Sequence, residues 1–527
     1  MSSQRRLIWG ESPQTSSLPK STQSGGTMKV QNVRLLLMTA FCALSMTCLH
    51  AQSSAPQAAA TPAPSSSYKP ITLGKIRFSG SLRVRPEIWD WFDTQAADPT
   101  YMYYASTLRL SLSQELTSLD WQVEFENPLL LGLPDNSVAP PPQGQLGLGA
   151  TYYVVNDESR AAAGLFLKQG FLRWKGLFGD KKSSLRFGRF EVVDGSETTP
   201  ADPTLAALKR DRIAHRLVGT FVFSHVGRSF DGAQYVRQGS TNITILGGRA
   251  TEGVFLANGW DDMDTDILYG AATHGVGKTS PGEFRVFALS YHDGRRAPKV
   301  DNRPAAAIAA DQHNIRLTSI GGHYIQTFPA GTGKLDVLLW GAGQFGNWGV
   351  LEHRAGAIAV EGGFQPKMKL KPWIRGGYSY STGDDDPNDS VHGTFFQVLP
   401  TPRIYARFPF FNVMNNQDAF GELILRPHPK WTLRSDIHLL RLSNEHDLWY
   451  SGGGAFQQEK IFGFTGRPSH GSQSLSSLYD LSVDYVINPH LSVTGYYGVA
   501  TGRTVIAKIY PNGETGQLGY GELSWKF

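Results

Sequence analysis

The chain closes on Glu522-Leu523-Ser524-Trp525-Lys526-Phe527, in which Leu523, Trp525 and Phe527 alternate with Glu522, Ser524 and Lys526. A period of two is the signature of a strand with one apolar and one wet face. The same period runs back to Ile71. Ile76, Phe78, Leu82 and Val84 share one face, while Arg77, Ser79, Ser81, Arg83 and Arg85 share the other. Leu108, Leu110 and Leu112 alternate with Arg109, Ser111 and Ser113; Trp121, Val123 and Phe125 alternate with Gln122, Glu124 and Glu126. Leu433, Ile437 and Leu439 oppose Arg434, Asp436 and His438, and Leu481, Val483 and Tyr485 oppose Asp480, Ser482 and Asp484. Arginines stacked on one strand face require water or carboxylates opposite them.

Alternation of this kind fits two architectures. In a soluble sandwich the apolar faces meet in a core; in a membrane barrel they face lipid and the charged faces line a wet lumen. Segments of about ten residues, aromatics near segment ends (Tyr103, Tyr104, Trp174, Trp373, Tyr380, Trp431, Tyr497) and the terminal aromatic favour the barrel. An amphipathic last strand ending in Phe resembles the assembly signal of outer-membrane barrels, so Phe527 is expected to engage the barrel-assembly machinery. Eighteen segments are legible, with centres from near residue 80 to near residue 522. An even number lets the first strand close antiparallel on the last, leaving no edge in hydrocarbon. The expected fold is therefore all-β, a transmembrane antiparallel β-barrel of about 18 strands in contact with outer-membrane lipid. Gly, Pro, Asn and Asp gather at 128–163, 192–227, 381–416 and 443–474, which read as surface loops, and Asn488-Pro489 marks a tight turn.

Lys29 and Arg34 precede an apolar run from Leu35 to Leu49, and small Ala51 follows, the order of a cleaved secretory signal. The expected organisation is an upstream start-site artefact over 1–27, a signal peptide over 28–51, an Ala/Pro/Ser-rich disordered linker over 52–70 and the barrel over 71–527. Both cysteines, Cys42 and Cys48, lie in the signal, so no disulfide or cysteine nucleophile is expected in the mature chain. The formal net charge is +5, but setting aside Arg5, Arg6, Lys20, Lys29, Arg34 and Glu11 leaves 45 basic against 44 acidic residues. So even a balance carries no footprint for nucleic acid.

At Leu185-Arg186-Phe187-Gly188-Arg189, followed by Gly227-Arg228-Ser229-Phe230-Asp231-Gly232, the chain resembles the alginate export family of outer-membrane channels. Ser381-Thr382-Gly383-Asp384-Asp385-Asp386-Pro387, with Thr394-Phe395 and Leu399-Pro400 beyond it, adds to the likeness. So do Asp447-Leu448-Trp449-Tyr450, Asp480 and Gly495-Tyr496-Tyr497-Gly498 with Gly502. The resemblance covers 71–527. It implies a single barrel of about eighteen strands, a monomer, with an arginine-lined pore for an acidic polysaccharide. The sequence departs from the family pattern at Ser477-Leu478-Tyr479, where Gly-x-Glu-x is expected before Asp480, and at Val193-Asp194-Gly195. These departures leave the cargo open, as fold alone does not fix it.

An anionic polymer sliding through a pore needs many weak cationic contacts, and arginine's planar fork, charged at any relevant pH, suits the task. Arg77, Arg83, Arg85, Arg109, Arg186, Arg189, Arg375 and Arg434 fall on expected lumen faces or in the family motif. They either line the pore or pair with Glu124, Glu126, Asp231 and Asp436 to brace the wall. Asp384, Asp385, Asp386 and Asp389 read as a solvated turn, because no central Gly and no closing Glu complete a calcium loop. The histidines are scattered with no close ligand pair, so no metal is assigned, and no nucleophile or phosphate-loop motif is present, so neither cofactor nor catalytic residue is assigned. A selective channel for an acidic glycan, a general diffusion porin and a barrel-borne enzyme or adhesin remain as function classes.

Overall fold

A computed structural model describes residues 71–277, 279–409 and 411–527; the expected artefact, signal and linker over 1–70 lie outside the described residues. Eighteen strands form the wall. The first nine are β1 (Ile76–Asp90), β2 (Thr100–Glu115), β3 (Leu119–Leu131), β4 (Phe166–Lys175), β5 (Ser183–Phe190), β6 (Phe230–Arg237), β7 (Thr241–Thr251), β8 (Asp262–Val276) and β9 (Gly282–Asp293). The rest are β10 (Ile315–Ala330), β11 (Gly333–Trp348), β12 (Leu351–Gln365), β13 (Trp373–Ser381), β14 (Asn416–His428), β15 (Trp431–Leu442), β16 (Ser474–Asn488), β17 (Leu491–Gly502) and β18 (Thr515–Lys526). Each pairs antiparallel with its neighbour in sequence, and β18 pairs back onto β1 from Ser81↔Lys526 to Asp90↔Gln517. Every segment expected from the alternation is a strand of this wall.

The two faces are inverted relative to a soluble protein. Leu110, Phe125, Ile245, Leu268, Val286, Ile320, Ile358, Ile374, Leu439 and Leu523 are exposed on the outside, whereas Arg85, Glu87, Arg285, Glu361 and Arg375 are buried inside. Lipid supplies the apolar surroundings for the first set. Trp174, Phe328, Phe364, Trp431 and Trp525 stand exposed near one end of the wall, where amphipathic rings favour the headgroup level. Two of the aromatics expected near strand ends, Tyr103 and Trp373, are buried on the inner face instead.

Short turns, such as 116–118, 331–332 and 489–490, connect strands at the girdle end, where both Ile76 and Lys526 also lie. The long connections, 132–165, 191–229, 382–415 and 443–473, all lie at the other end. Short turns on the periplasmic side and long loops outside is the usual asymmetry of such barrels.

Two backbone bonds of 3.0 Å join Gly80 and Phe527 in both directions, so the last residue is part of the seam. The Phe527 ring packs on Phe78 at 5.4 Å and on Trp525 at 4.8 Å. A Cβ on Gly80 would lie 2.5 Å from that ring and 2.7 Å from the Arg109 carbonyl, so only glycine fits there. Deleting Phe527 is expected to lower the fraction of protein with the fast mobility of a closed barrel on unboiled gels several-fold, and Phe527→Trp to restore it. Equal assembly without Phe527 would contradict a seam role.

Candidate functional site

Loop 191–229 is the longest in the wall and turns inward. It opens with Glu191 and carries helix α1 (Pro203–Leu208). Asp202 caps this helix by accepting from the amides of Thr204 at 2.9 Å and Leu205 at 3.1 Å, and Pro203 supplies the fixed first-turn φ. A wide turn, Lys209–Ile213, follows and spreads Lys209, Asp211 and Arg212 in different directions.

On one side of the lumen the loop is clasped by β1. Arg83 donates to the carbonyls of Val222 at 2.6 Å and Ser224 at 2.5 Å, and Arg85 donates to that of Phe223 at 2.6 Å. Arg85 is also held by Glu87 at 2.8 Å and Glu522 at 3.5 Å, with its guanidinium over the rings of Phe223 and Tyr520. Next to it, Arg109 meets Glu126 at 2.6 Å, Glu191 at 3.1 Å and Glu124 at 3.7 Å. Lys168 from β4 donates to the Val226 carbonyl at 2.8 Å.

The far wall holds the other half of the loop. Arg212 binds Glu361 on β12 with both fork nitrogens, at 2.8 and 3.0 Å, and Arg216 reaches the same carboxylate at 3.3 Å. Arg375 on β13 contacts Glu361 at 3.0 Å and bonds Asp336. Arg434 on β15 joins Glu422 at 3.1 Å to the loop's Asp211 at 3.3 Å. On β9, Glu283 takes Lys209 at 2.7 Å and Arg285 takes Glu197 at 3.0 Å. The loop thus crosses the lumen, anchored on β1, β2 and β4 at one side and on β9, β12 and β15 at the other.

The expected site residues divide into four groups. Arg83, Arg85, Arg109, Arg375, Arg434, Glu124 and Glu126 gather around this crossing. Arg186 lies on the inner face nearer the short turns, bonded to Gln234 and stacked on Phe190 with 4.0 Å to the ring centre, and Arg77 is exposed near the same end. Asp436 sits on the inner wall beside His438 and Asp480. Arg189 and Asp231 depart from the expectation: they pair with each other at 2.6 Å on the outer face, where Asp231 is opposite Arg249 in the β6–β7 register. Their neighbours Phe190 and Phe230 point inward and are fully buried. Strict alternation from lipid-facing Phe187 already implied this, but nothing in the strand marks where hydrocarbon ends. Asp384 differs too. It is buried, not solvated, and its carboxylate accepts from the amides of Asp386 at 3.2 Å and Gly393 at 3.3 Å, a turn organiser whose acidity burial weakens to about 6.

Sequence reasoning missed Glu361, Glu191, Lys168, Arg212, Arg216, Arg285 and Glu197. The one legible hint was Glu361 in Ala357-Ile358-Ala359-Val360-Glu361, a lone carboxylate at an inward position among small residues. Above the crossing, a cavity of about 110 Å³ is lined by Trp91, Phe221, Phe223, Phe255, Arg403 and Arg467. Burial lowers Arg403 to about 9, so it stays charged at neutral pH.

Loop ionisation sets a pH window. Burial pushes Asp194 up to about 6 against the pull of Arg285. Burial would raise Glu197 as well, but Arg285 and Lys209 hold it down at about 2. Glu197, lowered from 4.5, contributes attachment that is complete above 4.5 and lost as pH falls toward 2. Asp194, raised from 3.8, contributes in the opposite sense, fully below 3.8 and lost as pH rises through about 6. Acidifying from 4.5 toward 2 should therefore increase single-channel current fluctuations, and Glu197→Gln should shrink that acid limb, the remainder coming from Asp211, which, against burial, Arg210 and Arg434 also hold down at about 2. Glu361→Gln leaves three buried guanidinium groups short of a carboxylate, at a cost of about 3–5 kcal/mol. It should raise conductance and expose the peptide bonds after Arg210 and Arg212 to trypsin; an unchanged digest would show that Glu361 does not anchor the loop.

With this geometry in view, a family model described as alginate export matches residues 150–508. Solved structures share the fold at low identity. OpdK from Pseudomonas aeruginosa superimposes with a TM-score of 0.50 at 9% identity, covering 85% of this chain and 98% of that one. OccK9 (OpdG) of the same organism gives 0.51 at 11% identity, covering 86% and 98%. OccK2 (OpdF) from Pseudomonas aeruginosa, solved in complex with glucuronate, gives 0.51 at 9% identity over 86% and 98%. No curated protein matches the chain in sequence.

Proposed function

This chain belongs to the alginate export family and is a channel of the cell outer membrane, and from that premise we propose that it passes an acidic polysaccharide, or oligomers of one, along an arginine-lined lumen. The observation that carries the reading is that several lumen and loop cations are bonded to neutral oxygens in place of carboxylates. Arg83 holds two backbone carbonyls, Arg186 an amide oxygen, Arg403 two carbonyls and Arg228 the Gly453 carbonyl. Burial lowers Arg228 to about 9, which still leaves it cationic at neutral pH. Positive charge with no carboxylate of the described residues in ion-pair contact, inside low-dielectric walls, raises the local concentration of anions. The glucuronate of OccK2 (OpdF) is a carboxylate sugar of the same class.

Arg109, Arg375 and Arg434, by contrast, each contact at least two carboxylates. That density of pairing favours a bracing role for these three and supports a general diffusion porin as the second reading. In the proposed arrangement a single barrel is the working unit, and the β18 strand ending in Phe527 is what the barrel-assembly machinery engages.

Purified protein in a planar bilayer should favour anions, and uronic-acid oligomers should block its current in a dose-dependent way. The preference should weaken with salt, since the Debye length is about 8 Å at physiological ionic strength. Arg83→Gln with Arg186→Gln should shift the reversal potential toward neutrality while the barrel stays closed, because lumen substitutions mainly tune selectivity. Cation preference in the unmutated channel, or an unchanged reversal potential in the double variant, would leave the porin reading in its place.

A further inference from the structure

Three adjacent strands of the inner wall bring together groups that none of the lumen contacts explain. Asp436 and Asp480 are direct partners in the β15–β16 register, so two carboxylates face each other where like charges repel. His438, two residues along on β15, contributes a ring nitrogen. One donor atom from each of the three lies within 4.8 Å of the others. Behind the histidine, Asp418 on β14 holds Nδ1 at 2.9 Å. The imidazole is fully inside the wall, 1% exposed, and packs against Phe420 and Phe411.

Among the described residues, two polar atoms of this cluster, His438 Nε2 and Asp436 Oδ1, have no hydrogen-bond partner. Arg434 pairs with Glu422 and Asp211, and Arg407 reaches Asp480 through its backbone amide, at 2.8 Å. Asp480 also accepts from the Tyr496 hydroxyl, which fixes the carboxylate in place. A buried histidine nitrogen with nothing to bind, beside two carboxylates that repel each other, is the environment a cation relieves.

We propose that Asp436, His438 and Asp480 form a divalent metal site in the lumen wall, taking a zinc-like ion with Asp418 orienting the imidazole from behind. One imidazole with two carboxylates suits a borderline ion better than calcium or magnesium, which prefer oxygen donors alone. Tetrahedral zinc with bonds of about 2.0–2.2 Å places its donors about 3.3–3.6 Å apart, so small side-chain rotations close the site. Asp436 is the least buried of the three and leaves the ion one side open to the lumen for water. A carboxylate behind a ligating histidine is the usual device for fixing its tautomer.

The test uses the full-length barrel in detergent, stripped with chelator and titrated with zinc by calorimetry, with bound metal counted by elemental analysis. One equivalent per barrel is expected. His438→Gln should abolish it, and Asp418→Asn should weaken affinity about 10- to 100-fold, both with the closed-barrel mobility of the parent on unboiled gels. If His438→Gln fails to close, Asp480→Asn and Asp418→Asn carry the same comparison. A second cluster, Asp264, Asp266 and His292, lies partly exposed on the outer face and serves as the control. Zinc retained in the Asp418, His438 and Asp480 variants but lost in His292→Gln would place the ion on the rim and overturn the proposal. Absence of stoichiometric binding in the unmutated barrel would overturn it as well.

Discussion

Hydrocarbon offers no hydrogen bonds, so each backbone amide and carbonyl that crosses it must find a partner within the sheet or lose several kcal/mol. That constraint is met here by the seam between β1 and β18, carried to the last residue by the paired bonds of Gly80 and Phe527. The rest follows from it. An even number of antiparallel strands sets both barrel ends of the chain at one mouth and all the long loops at the other. Closure also turns the sheet's two faces into an outside and an inside, and these must be solved as different solvents.

The inside is solved by charge pairing. A carboxylate such as Glu361 is costly to bury alone, and the three guanidinium groups around it are costly in the same way. Together they hold, because removing the carboxylate leaves three guanidinium groups without it and removing a guanidinium leaves the carboxylate less compensated. The loop over 191–229 supplies much of this pairing, so the groups that brace the wall and those that tether the crossing segment are largely the same. Outside, charge appears only past the apolar band. Arg249 meets Asp266 at 2.8 Å just beyond lipid-facing Leu268 on the same face of β8. The change from leucine to aspartate within two residues marks where the hydrocarbon stops.

Selectivity in such a lumen depends less on how many arginines it contains than on what already neutralises them. Arg109 and Arg375 each meet three carboxylates, while Arg83 and Arg228 spend their hydrogen bonds on carbonyls. On the proposed reading, a cargo anion would compete with a carbonyl far more easily than with a bidentate carboxylate. The same distinction would separate wall braces from contacts a moving polymer could use.

The sequence by itself determined the strands, their number, the two faces of each and the main loops. Alternation is local, and the penalty for an apolar residue on the wrong face acts on every strand independently. The family likeness was also legible, because its motifs lie in contiguous stretches. Only the tertiary structure decided which cation meets which anion: Arg212 and Glu361 are 149 residues apart, and Arg83 and Val222 are 139 apart. It also decided that Arg189 and Asp231, outward by alternation, lie past the hydrocarbon and pair with each other there, and that Asp436, His438 and Asp480 converge on one wall. Pairing across a lumen depends on how far the loop reaches inward and on the stagger of strands around the barrel, and neither leaves a mark in the local period of the chain.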